Sequence, residues 1–157
     1  MSVSVRRAEL ADVGAVGPLF ERYCVFYERH PSPDDAMAFI RDRMRLRDSV
    51  ILVAELPEVR GGQRAVGVVQ LYPKWSSTTM RRDWIVKDVF GEAGAGRAGV
   101  ARALMEEAVA FCRRSGAANV KLKTQAENAP ARALYEKLGW VMDEAFVTYN
   151  CRLNGDG

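Results

Sequence analysis

A run of small residues, Gly91-Glu-Ala-Gly-Ala-Gly-Arg-Ala-Gly-Val-Ala101, has the composition to hold an anion. It links an apolar segment, Trp84 to Phe90, to a helical pattern that starts near Val100. The first amides of a helix have no intrahelical acceptor, and the helix dipole is positive at that end. Glycine and alanine let a phosphate approach the backbone closely, and Arg97 and Arg102 add charge. The same residues also suit a tight turn that needs glycine only for its dihedrals. Gly94-x-Gly96-x-x-Gly99 matches the dinucleotide fingerprint literally. That fingerprint requires an acidic residue roughly 20 positions on, at the end of the next strand, to hold a ribose. Here the next strand ends at Thr124-Gln125, Glu127 lies past it, and too little chain remains for a doubly wound sheet. A dinucleotide oxidoreductase is therefore the weaker reading.

Other chemistries have little to build on. The single histidine, His30, precedes Pro31-Ser32-Pro33 and reads as a surface loop residue. With no second histidine, a histidine metal site has little to build on, and a lone surface His30 offers little to a Ser-His-Asp triad. Cys24, Cys112 and Cys151 are too widely spaced for a zinc pattern, and their odd number does not suggest a disulfide framework. The 23 basic and 20 acidic side chains nearly balance, which argues against nucleic acid as the main partner. Arg81-Arg82 and Arg113-Arg114 read as solvated faces. The start, Met1 to Arg7, lacks the apolar centre of a signal peptide, and no apolar run is long enough to span a bilayer. The expected location is cytoplasmic.

The elements that must position these residues follow from periodicity and punctuation. Val3 to Glu9 reads as a strand, and Asp12 as a helix start interrupted by Pro18. A helix is expected from about Pro18 to Tyr27, and a second from a cap at Asp34 to about Arg47. Ser49 to Glu55 and Ala65 to Tyr72 read as hairpin strands, followed by a loop through Pro73, Ser76 and Ser77. Trp84 to Phe90 is another strand, and the helix after the glycines carries Val100, Leu104, Ala108 and Phe111 on one face before Gly116 stops it. Val120 to Thr124 is a strand, and Asn128 caps a short helix ended by Gly139. Trp140 to Asp143 and Ala145 to Cys151 close the chain as strands. The length suits one domain over residues 1–157. The order implies an α/β (α+β) fold, a mixed sheet covered by helices, with parallel strands either side of the glycine-rich turn.

From about Val50 onward the sequence resembles the GCN5-related N-acetyltransferase (GNAT) superfamily. Three segments carry the resemblance, in order: Trp84-Ile-Val-Lys-Asp-Val-Phe-Gly91, Gly96-Arg-Ala-Gly-Val-Ala-Arg-Ala-Leu104, and Asn128-Ala-Pro-Ala-Arg-Ala-Leu-Tyr-Glu-Lys-Leu-Gly-Trp140. It implies a GNAT-like fold of about seven strands and four helices, with a splayed central parallel pair. It also implies acetyl-CoA as cosubstrate, no metal, a small amine or peptide amine as acceptor, and a homodimer. Arg97, Ala98, Gly99, Val100, Ala101 and Arg102 would form the pyrophosphate turn. Gly96 stands where the family usually has Arg or Gln, so the turn relies more on backbone donors and Arg97. Val89, Phe90 and Gly91 match the strand end that pairs with pantetheine, and Asn128, Ala131 and Tyr135 match the later cofactor-contacting segment. For Asn128 a plain helix cap is equally consistent.

Acetyl transfer to an amine requires a neutral nucleophile, donors for the oxyanion and a proton for the departing thiolate. The backbone N–H near Phe90 is the candidate oxyanion donor. Tyr135 matches the tyrosine that protonates the thiolate in spermidine/spermine acetyltransferase, the branch this region resembles. Leu134 and Leu138 would face the core, with Tyr135 rotated roughly 100° onto its rim. Lys87 occupies the position of that branch's catalytic glutamate, which argues against a polyamine. The neighbouring Asp88 is the candidate base; bulk water as base, or a structural Asp88, remain alternatives. On an alternating strand only one of Lys87 and Asp88 can face the cleft. No cysteine is placed as an acyl carrier, so transfer is expected to be direct. Tyr23, Phe26, Tyr27 and Glu28, with Gln70, Tyr72 and Trp84, are the candidate acceptor pocket, since aromatic faces with carboxylates suit a cation, but the aromatic stripe of the first helix reads first as core. Gly96 and Lys87 also admit a CoA-binding regulatory module with degenerate catalysis.

Overall fold

The computed structural model describes residues 2–95 and 99–154, in two compact units, Met1–Lys123 and Thr124–Gly157. The first unit holds β1 (Ser4–Arg7), a single 3-10 turn at Leu10–Asp12, α1 (Val13–Phe26), α2 (Pro33–Leu46), β2 (Val50–Pro57), β3 (Gln63–Ser76), β4 (Arg81–Gly91), α3 (Val100–Arg114) and β5 (Val120–Leu122). The sheet runs β1-β2-β3-β4-β5, antiparallel throughout except for β4 and β5, which are parallel and joined through α3. The mixed sheet expected from the element order is therefore present.

Helices cover both faces, which is why β2 and β3 are nearly continuous apolar runs rather than alternating ones. Val68 belongs to a cluster with Val13, Val16 and Leu19 of α1, Ile40 of α2, and Ile51 and Val53 of β2. Its neighbour Gly67 points the other way, onto Val100 and Leu104 of α3. A side chain at Gly67 would place its Cβ 2.6 Å from Val100 Cγ1 and 2.8 Å from the Phe90 carbonyl oxygen. Glycine here lets the start of α3 lie directly on the sheet.

Several boundaries differ from the sequence reading. α1 begins at Val13, and Pro18 lies inside it. The proline withholds one N–H from Gly14, a local cost. Burial of Val13, Val16, Gly17 and Leu19 carries the helix through it. Ser32, not Asp34, caps α2: its hydroxyl accepts from the Asp35 amide at 3.0 Å, with Pro33 in the first turn. β3 continues past Pro73 to Ser76. Pairing with β2 ends at Leu71, so Pro73 lies where β3 has β4 alone as a partner and needs no second donor.

The second unit contains α4 (Ala129–Lys137). Residues 140–143 and 145–151, expected as closing strands, are not strands: among the described residues they have no ladder partner. Their apolar side chains Val141, Phe146, Val147 and Tyr149 are exposed. Alternation alone does not make a strand, because a strand exists through its pairing. The described sheet thus has five strands rather than about seven.

Candidate active site

β4 changes character at Val86. Up to that residue it is paired on both sides, with β3 and, through Trp84–Val120, Ile85–Lys121 and Val86–Leu122, with β5. Beyond it the parallel ladder stops, and among the described residues Lys87 to Gly91 have β3 as their one strand neighbour. The β3 register also shifts here. Gln70 faces Lys87 and Val68 faces Phe90, so two residues, Asp88 and Val89, stand opposite Val69. This is a β-bulge, and Asp88 adopts the left-handed conformation with φ +53°. Aspartate is among the few non-glycine residues that enter that region readily. The bulge breaks the alternation expected for Lys87 and Asp88: no strict choice between the two side chains applies here.

The Asp88 carboxylate is the end of a short polar chain. Gln70 Nε2 donates to Asp88 Oδ2 at 2.6 Å, and Ser49 Oγ donates to Gln70 Oε1 at 2.7 Å. The Tyr23 hydroxyl of α1 faces the same carboxylate and favours its ionised form. Burial raises the Asp88 pKa; the bonds from Gln70 and Tyr23 and the charge of Lys87 offset this only in part. Burial, then the nearby Asp88, pushes Tyr72 up to about 12 and raises Tyr23 well above the usual phenol range. Burial likewise raises the Cys24 thiol, followed by the charge of Asp88. A half-buried carboxylate with a raised pKa, ringed by neutral phenols, is equipped to accept a proton from a substrate.

Aromatic rings lead outward from it. Tyr23 lies 5.0 Å from Tyr27 and Tyr27 5.1 Å from Phe26, between ring centroids, and Phe26 is largely exposed. Of the residues expected to receive the acceptor, Gln70 and Tyr72 gather at Asp88, and Tyr27 at the rim of the aromatic row. Glu28 is exposed beyond the end of α1 and takes no part in the bonds around Asp88. Trp84 lies elsewhere. It is buried against α3, its ring 5.3 Å from Phe111 and its Nε1 donating to Ser115 Oγ at 2.9 Å. Val89, Phe90 and Gly91 occupy the stretch of β4 that has lost β5.

The end of β4 is fixed by contacts that sequence reasoning missed. The Glu92 amide donates to the Val66 carbonyl at 2.8 Å. The Glu92 carboxylate takes Arg22 of α1 at 2.9 Å and Arg64 of β3 at 2.5 Å. Gly99, in the left-handed region at φ +76°, is the N-cap of α3 and supplies no side-chain acceptor to the first-turn amides. Val100 is fully buried on Gly67 and Gly91, Ala101 is half-buried, and Arg102 pairs with Glu106 at 2.8 Å. Gly96, Arg97 and Ala98 lie outside the described residues.

In the second unit, Asn128 caps α4, its Oδ1 accepting from the Ala131 amide at 3.3 Å, and Pro130 sits in the first turn. Tyr135 is half-buried, its ring centroid 6.3 Å from that of Trp140, whose amide donates to the Tyr135 carbonyl at 2.9 Å. Leu134 and Leu138 are also half-buried, and no residue of α4 is fully buried. Among the described residues no group of His, Cys, Asp and Glu could hold a metal ion, and no helix is long and apolar enough to cross a membrane.

The chain belongs to the acetyltransferase (GNAT) family, whose model matches residues 17–140, well over half of the chain. It is 35% identical over 147 residues to an uncharacterised N-acetyltransferase, YhfO, of Bacillus subtilis, covering 94% of this chain and 95% of that one. A probable acetyltransferase of Haemophilus influenzae is 32% identical over 105 residues, 67% of this chain and 69% of its own. Among solved structures, a probable acetyltransferase superposes with a TM-score of 0.89 at 29% identity, over 98% of this chain and 99% of that one. A predicted acetyltransferase of Clostridium acetobutylicum, crystallised with acetyl-CoA, shares the fold with a TM-score of 0.71 at 14% identity, over 94% and 96% of the two chains.

Proposed function

We propose that the chain transfers the acetyl group of acetyl-CoA to a primary amine by direct attack in a ternary complex. The observation that carries this is the placement of Asp88: a partly buried carboxylate of raised pKa, at the bulge where β4 loses its parallel neighbour. The backbone of Val89 to Gly91 takes the pantetheine arm, as a strand partner in place of β5. The glycine-rich turn, with Gly99 to Arg102, takes the pyrophosphate, and the acetyl-CoA-bound relative of like fold supports that cosubstrate. Asp88 accepts the ammonium proton, directly or through a water. The amine nitrogen then bonds to the thioester carbon, a backbone N–H near Phe90 steadies the oxyanion, and the C–S bond breaks. Tyr135 gives its hydroxyl proton to the thiolate and regains one through water as the product nitrogen sheds its second proton, and Asn128 and Ala131 flank the same cosubstrate.

The acceptor is a cation received by Tyr27, Tyr72 and Gln70, with Glu28 at the outer rim. Lys87 stands where the spermidine/spermine branch has its catalytic glutamate, and the loss of that carboxylate disfavours the polyamines. The family match runs across residues 123 and 124, which supports one acetyltransferase domain over 1–157. The protein works in the cytoplasm as a homodimer. Calorimetry with acetyl-CoA, followed by an acetylation screen over polyamines, amino acids, aminoglycosides and peptides, tests the reading. It is wrong if millimolar acetyl-CoA does not bind. If acetyl-CoA binds and no amine turns over, the transferase reading gives way to a CoA-binding regulatory module.

A further inference from the structure

Ser49 and Gln70 are polar residues in the most apolar part of the sheet. Ser49 directly precedes Val50-Ile-Leu-Val-Ala54, and Gln70 follows Val66-Gly-Val-Val69. Only 7% of Ser49 and 2% of Gln70 is exposed. Burying a hydroxyl and a primary amide costs stability unless both are bonded, and an apolar pair of similar shape would serve packing as well or better. Here both are bonded, and the chain they make ends on Asp88.

We propose that Gln70 and Tyr23 are positioning residues for acetyl transfer, holding the Asp88 carboxylate aimed and ionisable inside its buried site, with Ser49 setting the orientation of the Gln70 amide. This rests on the reading of Asp88 as the base. The Ser49 hydroxyl has one proton, and donating it to Gln70 Oε1 leaves the amide N–H for Asp88. The flipped amide would set its carbonyl oxygen against the carboxylate. Gln70 and Tyr23 together occupy part of the acceptor capacity of a carboxylate, which has about four lone-pair sites. Capacity is left for an ammonium or a water. The Asp88 carboxylate is met by side chains of both neighbouring elements, bonded by Gln70 of β3 and faced by Tyr23 of α1.

The other charged and titratable groups facing this site are few. They are Lys87 beside it, Tyr23 and Cys24 of α1, with Glu21 and Tyr27 behind them, and Tyr72 of β3, itself faced by Arg43 of α2 and by Asp48. Tyr23, Tyr72 and Cys24 are all shifted to higher pKa and stay neutral through the neutral range. Asp88 is then the group whose environment the two donors control. Removing a donor to the ionised form favours protonation, so the Asp88 midpoint must rise.

The test is titration of the aspartate side-chain carboxyl carbons by NMR in the full-length protein, with the Asp88 signal assigned by its loss in Asp88→Asn. Gln70→Met and Tyr23→Phe are each expected to raise the midpoint by about one pH unit, and Ser49→Ala by less, in the same direction. The acidic limb of kcat/KM moves with it, for the amine that the acceptor screen identifies, and KM for acetyl-CoA stays constant. Unmoved midpoints in Tyr23→Phe and Ser49→Ala overturn the inference even if Gln70→Met fails to fold. The two readings separate cleanly: full activity in Asp88→Asn removes the base, whereas an inactive Asp88→Asn with unmoved midpoints removes only the positioning role.

Discussion

The two halves of β4 are built from similar residues and do different work. Arg81 to Val86 is a regular strand, held on both sides from Trp84 to Val86, with Trp84 and Val86 buried. Lys87 to Gly91 is bulged, paired on one side, and half-buried except for the exposed Lys87. Around Trp84 to Val86 both strand neighbours take up the backbone groups, and beyond Val86 the side that faced β5 has no ladder among the described residues. A fold can present main-chain donors and acceptors in register for a ligand by ending one ladder early, provided the strand is secured beyond the gap. Here Glu92, bonded to Val66, Arg22 and Arg64, supplies that anchor.

Substitutions in the two halves should therefore fail differently. The largest effect is expected from Trp84→Ala, which empties a site packed on Phe111 and removes the indole donor to Ser115 Oγ. Loss of about 3–5 kcal/mol of stability is expected in chemical denaturation, with acetyl-CoA affinity unchanged in the molecules that remain folded. Asp88→Asn should do the reverse: about 100-fold or more off kcat, with the melting temperature kept or raised and acetyl-CoA still bound. Tyr135→Phe should lower kcat about tenfold with acetyl-CoA binding kept, and an unchanged kcat would make it a packing residue.

The pH dependence of stability separates the halves further. Asp88 has a raised folded pKa, so its contribution is complete below the ordinary carboxylate range and is lost as pH rises through the folded value. Asp88→Asn removes that loss. Burial pushes Glu92 up, but Arg64 and Arg22 outweigh it and hold its pKa below the usual range. Its contribution is present above the ordinary carboxylate range and disappears as pH falls, so Glu92→Gln should flatten the acid side of a denaturation-versus-pH curve. This is the smallest effect, since both arginines are about half exposed.

Much of this was readable from residue types. The start of α3 falls at Val100, where the glycine run ends, and Asn128 and Gly139 punctuate α4 as their chemistry requires. The bulge was not, because a period of two assumes a regular ladder; an aspartate inside an apolar strand was the available signal. Ser49 and Gln70 carried a similar signal, as isolated polar residues in buried strands. Trp84 was assigned to the wrong face because aromatic character suits a core as well as a cation site. Pro18 was overrated as a breaker, since tertiary burial outweighs one missing hydrogen bond. The closing strands were overrated because alternation says nothing about whether a partner edge is available.

The most direct measurement is amide hydrogen exchange along β4 with and without CoA. Protection should rise at one or more amides of Val89, Phe90 and Gly91 when CoA is added, and stay constant from Trp84 to Val86. Equal protection of both halves at saturating CoA, with no change between Lys87 and Gly91, would contradict the account.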